Sequence, residues 1–229
     1  VRSPGSTFEN PIKRLWQGIR SELSIKLSPW NLVWLAALAI GIYFRVTLFN
    51  QVPSEMVSDH AEKLYDISDI LNGQSPVFFV RNTGREAFQF YWTVLIINVF
   101  GTGISFFSLK LGTVLLGIFT LPFFYLIGKE LGNKNVGLFA MFFAGIAYWP
   151  NVISRAALRF TLYPAFLAPT LYFFLRGMTS QKRRYFVLSG IFLGLGLHGY
   201  TPFRVVPILL VVAVVLYLFH NRSNRAVKH

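Results

Sequence analysis

Apolar residues in this chain come in long blocks, with polar residues gathered between them. Blocks at 30–50, 105–128, 135–151, 161–177, 184–200 and 204–220 approach the roughly 20 residues a helix needs to cross about 30 Å of hydrocarbon. The pattern predicts about six transmembrane helices. A further apolar run, 87–100, is short and predicts a helix at the interface or partly inserted. Ahead of the first block, Ile12, Leu15, Trp16, Ile19, Leu23 and Leu27 recur at helical spacing with basic residues between them. That spacing predicts an amphipathic surface helix over Pro11–Leu27, while residues 1–10 read equally as a basic tail. No apolar core and small-residue cleavage site precede Trp30, so the first block reads as a retained signal anchor.

Composition turns this pattern into a class. Of 229 residues, 54% are hydrophobic and only 14% charged, and 24 are Phe. Mean hydropathy is +0.50. A water-soluble domain usually carries about 25% charged residues, so the expected fold is an all-α, polytopic membrane protein. The net charge of +13 would suggest nucleic acid in a soluble protein. No basic-aromatic module is present, which excludes nucleic acid as the partner and assigns the charge to cytoplasmic loops and anionic headgroups. With no cysteine, disulfides, thiol nucleophiles and cysteine metal sites are excluded.

The Lys and Arg residues set the expected orientation. Fourteen of the 22 fall in four groups: the N-terminal segment, Lys129 with Lys134, Arg176 with Lys182 to Arg184, and the C-terminal tail. Placing those groups inside puts both termini in the cytoplasm, with a bacterial inner or plasma membrane as the expected location. The organisation expected is a cytoplasmic segment 1–29, a transmembrane domain 30–220 with an outer loop 51–104, and a basic tail 221–229. Six of the nine acidic residues, Glu55, Asp59, Glu62, Asp66, Asp69 and Glu86, then lie outside.

Four stretches carry candidate chemistry. Ser58 to Gly73 reads as an outer-surface helix capped by Ser58 and closed by Gly73. Asp59, Glu62, Asp66 and Asp69 share one of its faces, either as a solvated acidic face or as a source of a carboxylate base for an acceptor. Arg81 to Trp92 joins Arg81 and Arg85 to an aromatic cluster, suited to interface anchoring or to bidentate phosphate binding. Trp149 to Phe160 places Arg155 and Arg159 four apart, as if on one helical face beside an anionic partner. Leu197 to Arg204 breaks an apolar run and offers His198, Tyr200 and Arg204 together. Gly190, Gly194, Gly196 and Gly199 read as helix-packing positions. Phosphate-binding glycine loops, HExxH zinc pairs and GxSxG elbows are absent.

The order of these features resembles a known family. An N-terminal span is followed by an Asp-led outer helix and an interfacial aromatic stretch. Then come Ser154-Arg155-Ala156-Ala157-Leu158-Arg159 and Leu195-Gly196-Leu197-His198-Gly199-Tyr200-Thr201-Pro202-Phe203-Arg204. The chain is similar over residues 30–220 to protein O-mannosyltransferases and aminoarabinose-transferase-like glycosyltransferases of the GT-C fold. The resemblance implies transfer of a sugar from a polyprenyl-phosphate donor to an acceptor outside the cytoplasm. It implies a catalytic carboxylate at Asp59, with His60 where the family often has a second acid and Glu62 one turn on. It further implies a donor phosphate held by arginines among Arg155, Arg159 and Arg204, with Tyr200, Arg85 and His60 beside them. A divalent metal is compatible with the resemblance, but no ligand spacing implies one. Family members carry further spans, so the chain is expected to represent an N-terminal portion. The contrasting expectation is a non-catalytic membrane subunit that works beside other subunits and membrane lipids.

Overall fold

The computed structural model describes residues 28–81 and 84–226. The amphipathic helix expected at Pro11–Leu27 lies outside them. The described residues divide between Ala36 and Ala37 into two units, and all that follows concerns the second, apart from the first residues of one helix. The described residues are all-α but for a hairpin of two-residue strands, and each of the six predicted apolar blocks is largely helical, with 135–151 split between two helices.

The first helix, α1 (Pro29–Val46), is followed by α2 (Ser58–Leu71). Strand β1 (Phe78–Phe79) pairs antiparallel with β2 (Arg85–Glu86), matching Phe78 with Glu86 and Phe79 with Arg85. Gly84, with φ +93°, supplies the left-handed backbone that returns the chain into β2. Next come α3 (Phe88–Phe100), α4 (Phe106–Leu131), α5 (Lys134–Ile146) and α6 (Tyr148–Arg155). A 3-10 turn (Arg159–Thr161) leads into α7 (Leu162–Ser180), then α8 (Arg183–Leu197). A second 3-10 turn (Thr201–Val205) opens α9 (Val206–Ala226).

Among the described residues, three helical stretches are long and apolar enough to cross a membrane: Pro29–Val46, Phe106–Leu131 and Thr201–Phe219. A fourth arises if α5 and α6, bent by 56° at their junction, count as one broken span. Helices α7 and α8 occupy their predicted places without meeting both criteria. The short apolar run at 87–100 is the 13-residue α3.

Local chemistry explains the junctions. Ser105 caps α4 by accepting from Ser108 N–H, and Asn133 Oδ1 caps α5 by accepting from Asn135 N–H and Val136 N–H at 2.9 and 3.1 Å. Two residues between α4 and α5 therefore suffice to reverse the chain. Ser58 does not cap α2 as expected. The cap position is Val57, and its N–H donates to His60 Nδ1 at 3.1 Å. Gly73, at φ +96°, lies just past the C-terminal end of α2, as expected.

Two apolar clusters hold the helices. Ile67, Phe79, Phe90, Ile97, Leu109 and Ala157 bind α2 and the hairpin to α3 and α4. Leu116, Leu162, Ala165, Phe166, Phe203 and Val206 bind α4, α7 and the start of α9. Gly196 and Gly199 pack closely, against Phe203 and against Leu162 with Phe166, but Gly190 and Gly194 face open space and do not pack.

Candidate active site

The site is built from α2, the hairpin and the two 3-10 turns. On α2, Asp59 and Lys63 stand one turn apart and form an ion pair of 3.0 Å. Glu62, on the same face, takes Arg85 Nη2 at 2.9 Å, and Arg85 Nη2 also pairs with Asp59. Lys63 and Arg85 are completely buried, while the Asp59 and Glu62 side chains keep 33% and 38% exposure. The cations thus lie beneath, and the carboxylates open outward.

The next residue of β2, Glu86, anchors the second half. Its Oε2 accepts from Arg159 Nη1 at 2.9 Å. Its Oε1 accepts from Thr201 Oγ1 at 2.9 Å and Arg204 Nη2 at 3.1 Å. Glu86 is buried, whereas the Arg159 and Arg204 side chains are 20% and 61% exposed. The Arg159 guanidinium lies 5.9 Å from the Tyr200 ring, which packs edge-on against Phe160. Three carboxylates therefore meet four cations, leaving one positive charge when all are ionised.

This electrostatic setting tunes each group. Burial pushes the Asp59 carboxyl up, but the hydrogen bond and charge of Lys63, with the charges of Arg85 and Arg159, more than reverse it. Asp59 is held below the ordinary carboxylate range and stays ionised. Burial pushes the Lys63 ammonium down to about 8, against the pull of Asp59 and with the push of Arg85 and Arg159. His60 is lowered by burial too. Its Nδ1 accepts from Val57 N–H, so its Nε2 carries the proton and donates to Ala156 O at 2.8 Å. Both ring nitrogens are spent on the backbone.

The structure thus brings together Asp59, Glu62, Arg85, Arg159, Tyr200 and Arg204 from the residues expected by sequence. Two expected residues are not brought in. His60 is a strut between α2 and the α6 terminus, and its ring also packs 4.8 Å from Phe106. Arg155 donates to Thr47 O at 3.0 Å and to Asn151 O at 3.4 Å, away from the carboxylates. The expected shared face of Arg155 and Arg159 does not exist, because α6 ends at Arg155 and Ala157 takes φ +57°. Arg81 instead bridges Asp66 and Asp69, at 2.6 Å each. His198 is exposed, and its backbone carbonyl accepts from Phe88 N–H at 3.0 Å.

Two central residues were missed. Lys63 had a visible signal, an acid-to-lysine spacing of i to i+4 with Asp59. Glu86 had only its position at the edge of an apolar run, because its partners lie 73, 115 and 118 residues away. Among the described residues, no three His, Asp or Glu side chains converge as a metal site. Asp59 engages both carboxylate oxygens and Glu62 its Oε2 on Lys63 and Arg85.

The family model for dolichyl-phosphate-mannose-protein mannosyltransferase matches residues 87–229. The chain belongs to that family. The match begins one residue after Glu86, so it takes in Arg159, Tyr200, Thr201 and Arg204, while α2 and the hairpin precede it. No curated protein matches the chain. Family membership and the apolar helices make this an integral membrane protein of the mannosyltransferase-like glycosyltransferase class. The family's half of the cluster supplies the exposed guanidinium groups, and the preceding segment supplies the carboxylates.

Proposed function

We propose that this protein moves a sugar from a polyprenyl-phosphate donor to an acceptor on the non-cytoplasmic face of its membrane. The supporting observation is an outward-facing, ionised Asp59 held by Lys63 and Arg85, whose neighbour Glu86 holds the partly exposed arginines 159 and 204, with an excess positive charge over the whole. The Lys and Arg distribution supports a cytoplasmic placement of both termini, which leaves α2 and the hairpin on the opposite side.

In the proposed reaction an acceptor hydroxyl or amine attacks the anomeric carbon of the donor sugar. The bond from that carbon to the phosphate oxygen breaks, and the phosphate leaves on its lipid. Asp59 takes the acceptor proton. Arg204 and Arg159 stabilise the charge that grows on the leaving phosphate. Glu86 holds these two guanidinium groups in place, and Lys63 with Arg85 keeps Asp59 ionised. Tyr200 backs Arg159 with its ring face. Sugar passes directly, without a covalent enzyme intermediate.

Transfer assays in proteoliposomes carrying a mannosyl polyprenyl phosphate test this reading. Asp59→Asn is expected to lower turnover roughly 10²–10⁴-fold with normal expression and helix content. Unchanged turnover removes the proposed base. A chain that binds no donor at all is instead a non-catalytic subunit.

A further inference from the structure

Arg45, in the last turn of α1, is the one charged residue in a separate cavity of the membrane-crossing region. The cavity has a volume of about 170 Å³. Besides Arg45 its walls are Gly117, Thr120 and Phe124 of α4, Trp149, Pro150 and Ile153 of α6, then Thr161 and Pro164. Arg45 is 1% exposed. Its Nη1 donates to Gly41 O at 3.0 Å and Gly145 O at 3.2 Å, and its Nη2 donates to Ala144 O at 3.2 Å. Gly41 and Gly145 allow this approach, since a Cβ on Gly145 would lie 3.0 Å from the Gly41 Cα. The guanidinium thereby satisfies carbonyls at the break between α5 and α6, where the helix dipole is negative.

That arrangement leaves two things unsatisfied. Arg45 Nε is buried without a hydrogen-bond partner. Among the described residues no carboxylate pairs with Arg45. The Nε side faces the cavity wall at Gly117, whose Cβ, if present, would sit 3.4 Å from it. Neither threonine hydroxyl in the walls has a proton left to offer. The Thr120 hydroxyl is spent on Gly117 O at 2.6 Å and the Thr161 hydroxyl on Ile153 O at 2.9 Å. A buried cation without a counter-charge in a membrane protein is costly and points to a partner.

We infer that this cavity holds one acyl chain of an anionic bilayer phospholipid, its headgroup drawn to the uncompensated guanidinium charge of Arg45 at the cavity wall. The occupant is argued from the surroundings. The cavity is walled by α1 and α4, both membrane-crossing by length and apolarity, by α6, which counts as such only in the broken pair with α5, and by the start of α7. Its lining is apolar apart from the guanidinium, matching a hydrocarbon chain that ends in an anionic headgroup. Trp149, 68% exposed beside the 72% exposed Tyr148, lies on the cavity edge and suits the headgroup region. None of Asp59, Arg85, Glu86 or Arg204 lines the cavity, so it is separate from the proposed donor site. Thr161 does line it and closes the 3-10 turn that carries Arg159.

The experiment is native mass spectrometry of the protein taken from three nanodisc compositions: phosphatidylcholine alone, phosphatidylcholine with phosphatidylglycerol, and phosphatidylcholine with polyprenyl phosphate. The wild type is expected to retain one phosphatidylglycerol. Ile153→Trp and Thr120→Leu fill the cavity without touching the carbonyl contacts of Arg45, and both are expected to lose that adduct. Arg45→Gln is expected to lose the preference for phosphatidylglycerol over phosphatidylcholine. Retention of polyprenyl phosphate is expected to be the same in the wild type and the two filling variants. Equal phosphatidylglycerol retention in wild type and both filling variants overturns the site. Polyprenyl phosphate lost with the filling variants overturns the choice of occupant, and equal retention of phosphatidylcholine by the wild type overturns the role of charge.

Discussion

The two halves of α2 carry the same sequence pattern and do different things. In the first half, Asp59 and Glu62 meet Arg85; in the second, Asp66 and Asp69 meet Arg81. Each half is two acids, three residues apart, joined by one arginine. The difference lies in which partner is buried. Arg85 has no exposed side-chain surface and its carboxylates open outward, whereas the Arg81 side chain is 43% exposed over a buried Asp66. Only the first half adds Lys63 beneath it and connects through Glu86 to Arg159 and Arg204. A buried cation under an open carboxylate fixes that carboxylate as a charged, accessible group, and this is what a base requires. A surface cation over a buried carboxylate closes it off. Burial, rather than the spacing of the acids, separates the pair proposed as reactive from a clasp.

Arg85→Met sharpens the contrast most. It removes a fully buried cation that two carboxylates share, and Asp59 and Glu62 are left to repel each other. The expected loss is about 3 kcal/mol, within the usual range for breaking a buried pair and softened because both acids can reach water. A thermal melt in detergent reads this as a lower midpoint. A midpoint equal to the wild type shows that the buried arginine contributes no more than a surface one, and the distinction between the halves fails.

Much of this was legible from the chain. The long apolar blocks had to become helices, because only a helix satisfies its own backbone in hydrocarbon, and the acidic face of α2 followed from its 3.6-residue period. The pairing of Arg155 with Arg159 misled because a four-residue spacing means a shared face only within a continuous helix. The helix stops at Arg155, Ala157 turns left-handed, and Leu158 is extended at φ −108°, ψ 163°, so the two guanidinium groups diverge. Glu86 was invisible for a different reason. Its role comes from partners on the two 3-10 turns that precede α7 and α9, and no local pattern records a contact across more than seventy residues. His60 looked like site chemistry because it adjoins Asp59, yet its side chain lies on the opposite course, toward the Ala156 carbonyl.

The next effect is a slope in pH. Burial, with Arg85 and Arg159 nearby and Asp59 opposing, lowers Lys63 from 10.5 to about 8. The folded protein releases this proton near pH 8, while the unfolded chain keeps it until about 10.5. Between those values the unfolded state binds more protons, so stability rises with pH. One group contributes at most about 1.4 kcal/mol per pH unit, and below pH 8 its contribution is flat because both states are protonated. Unfolding at pH 8, 9 and 10 is expected to show a steeper rise in wild type than in Lys63→Met. Identical slopes place the titrating group elsewhere and remove Lys63 from beneath Asp59.

The smallest effect belongs to the other half of the helix. Asp69→Asn removes one of the two carboxylates under Arg81, whose contact with Asp69 is solvent-exposed at 2.6 Å. Exposed pairs gain little in water and lose side-chain freedom on forming. Arg81 keeps Asp66, and a cavity of about 230 Å³ beside both acids admits water to the vacated place. The expected outcome is a melting midpoint and a transfer rate that match the wild type, at low and at high salt. A loss comparable to that of Arg85→Met means both arginines hold α2 with equal force. The reactive half then owes nothing to its buried cation, and Asp59 has to be told apart from Asp66 by its reach to Arg159 alone.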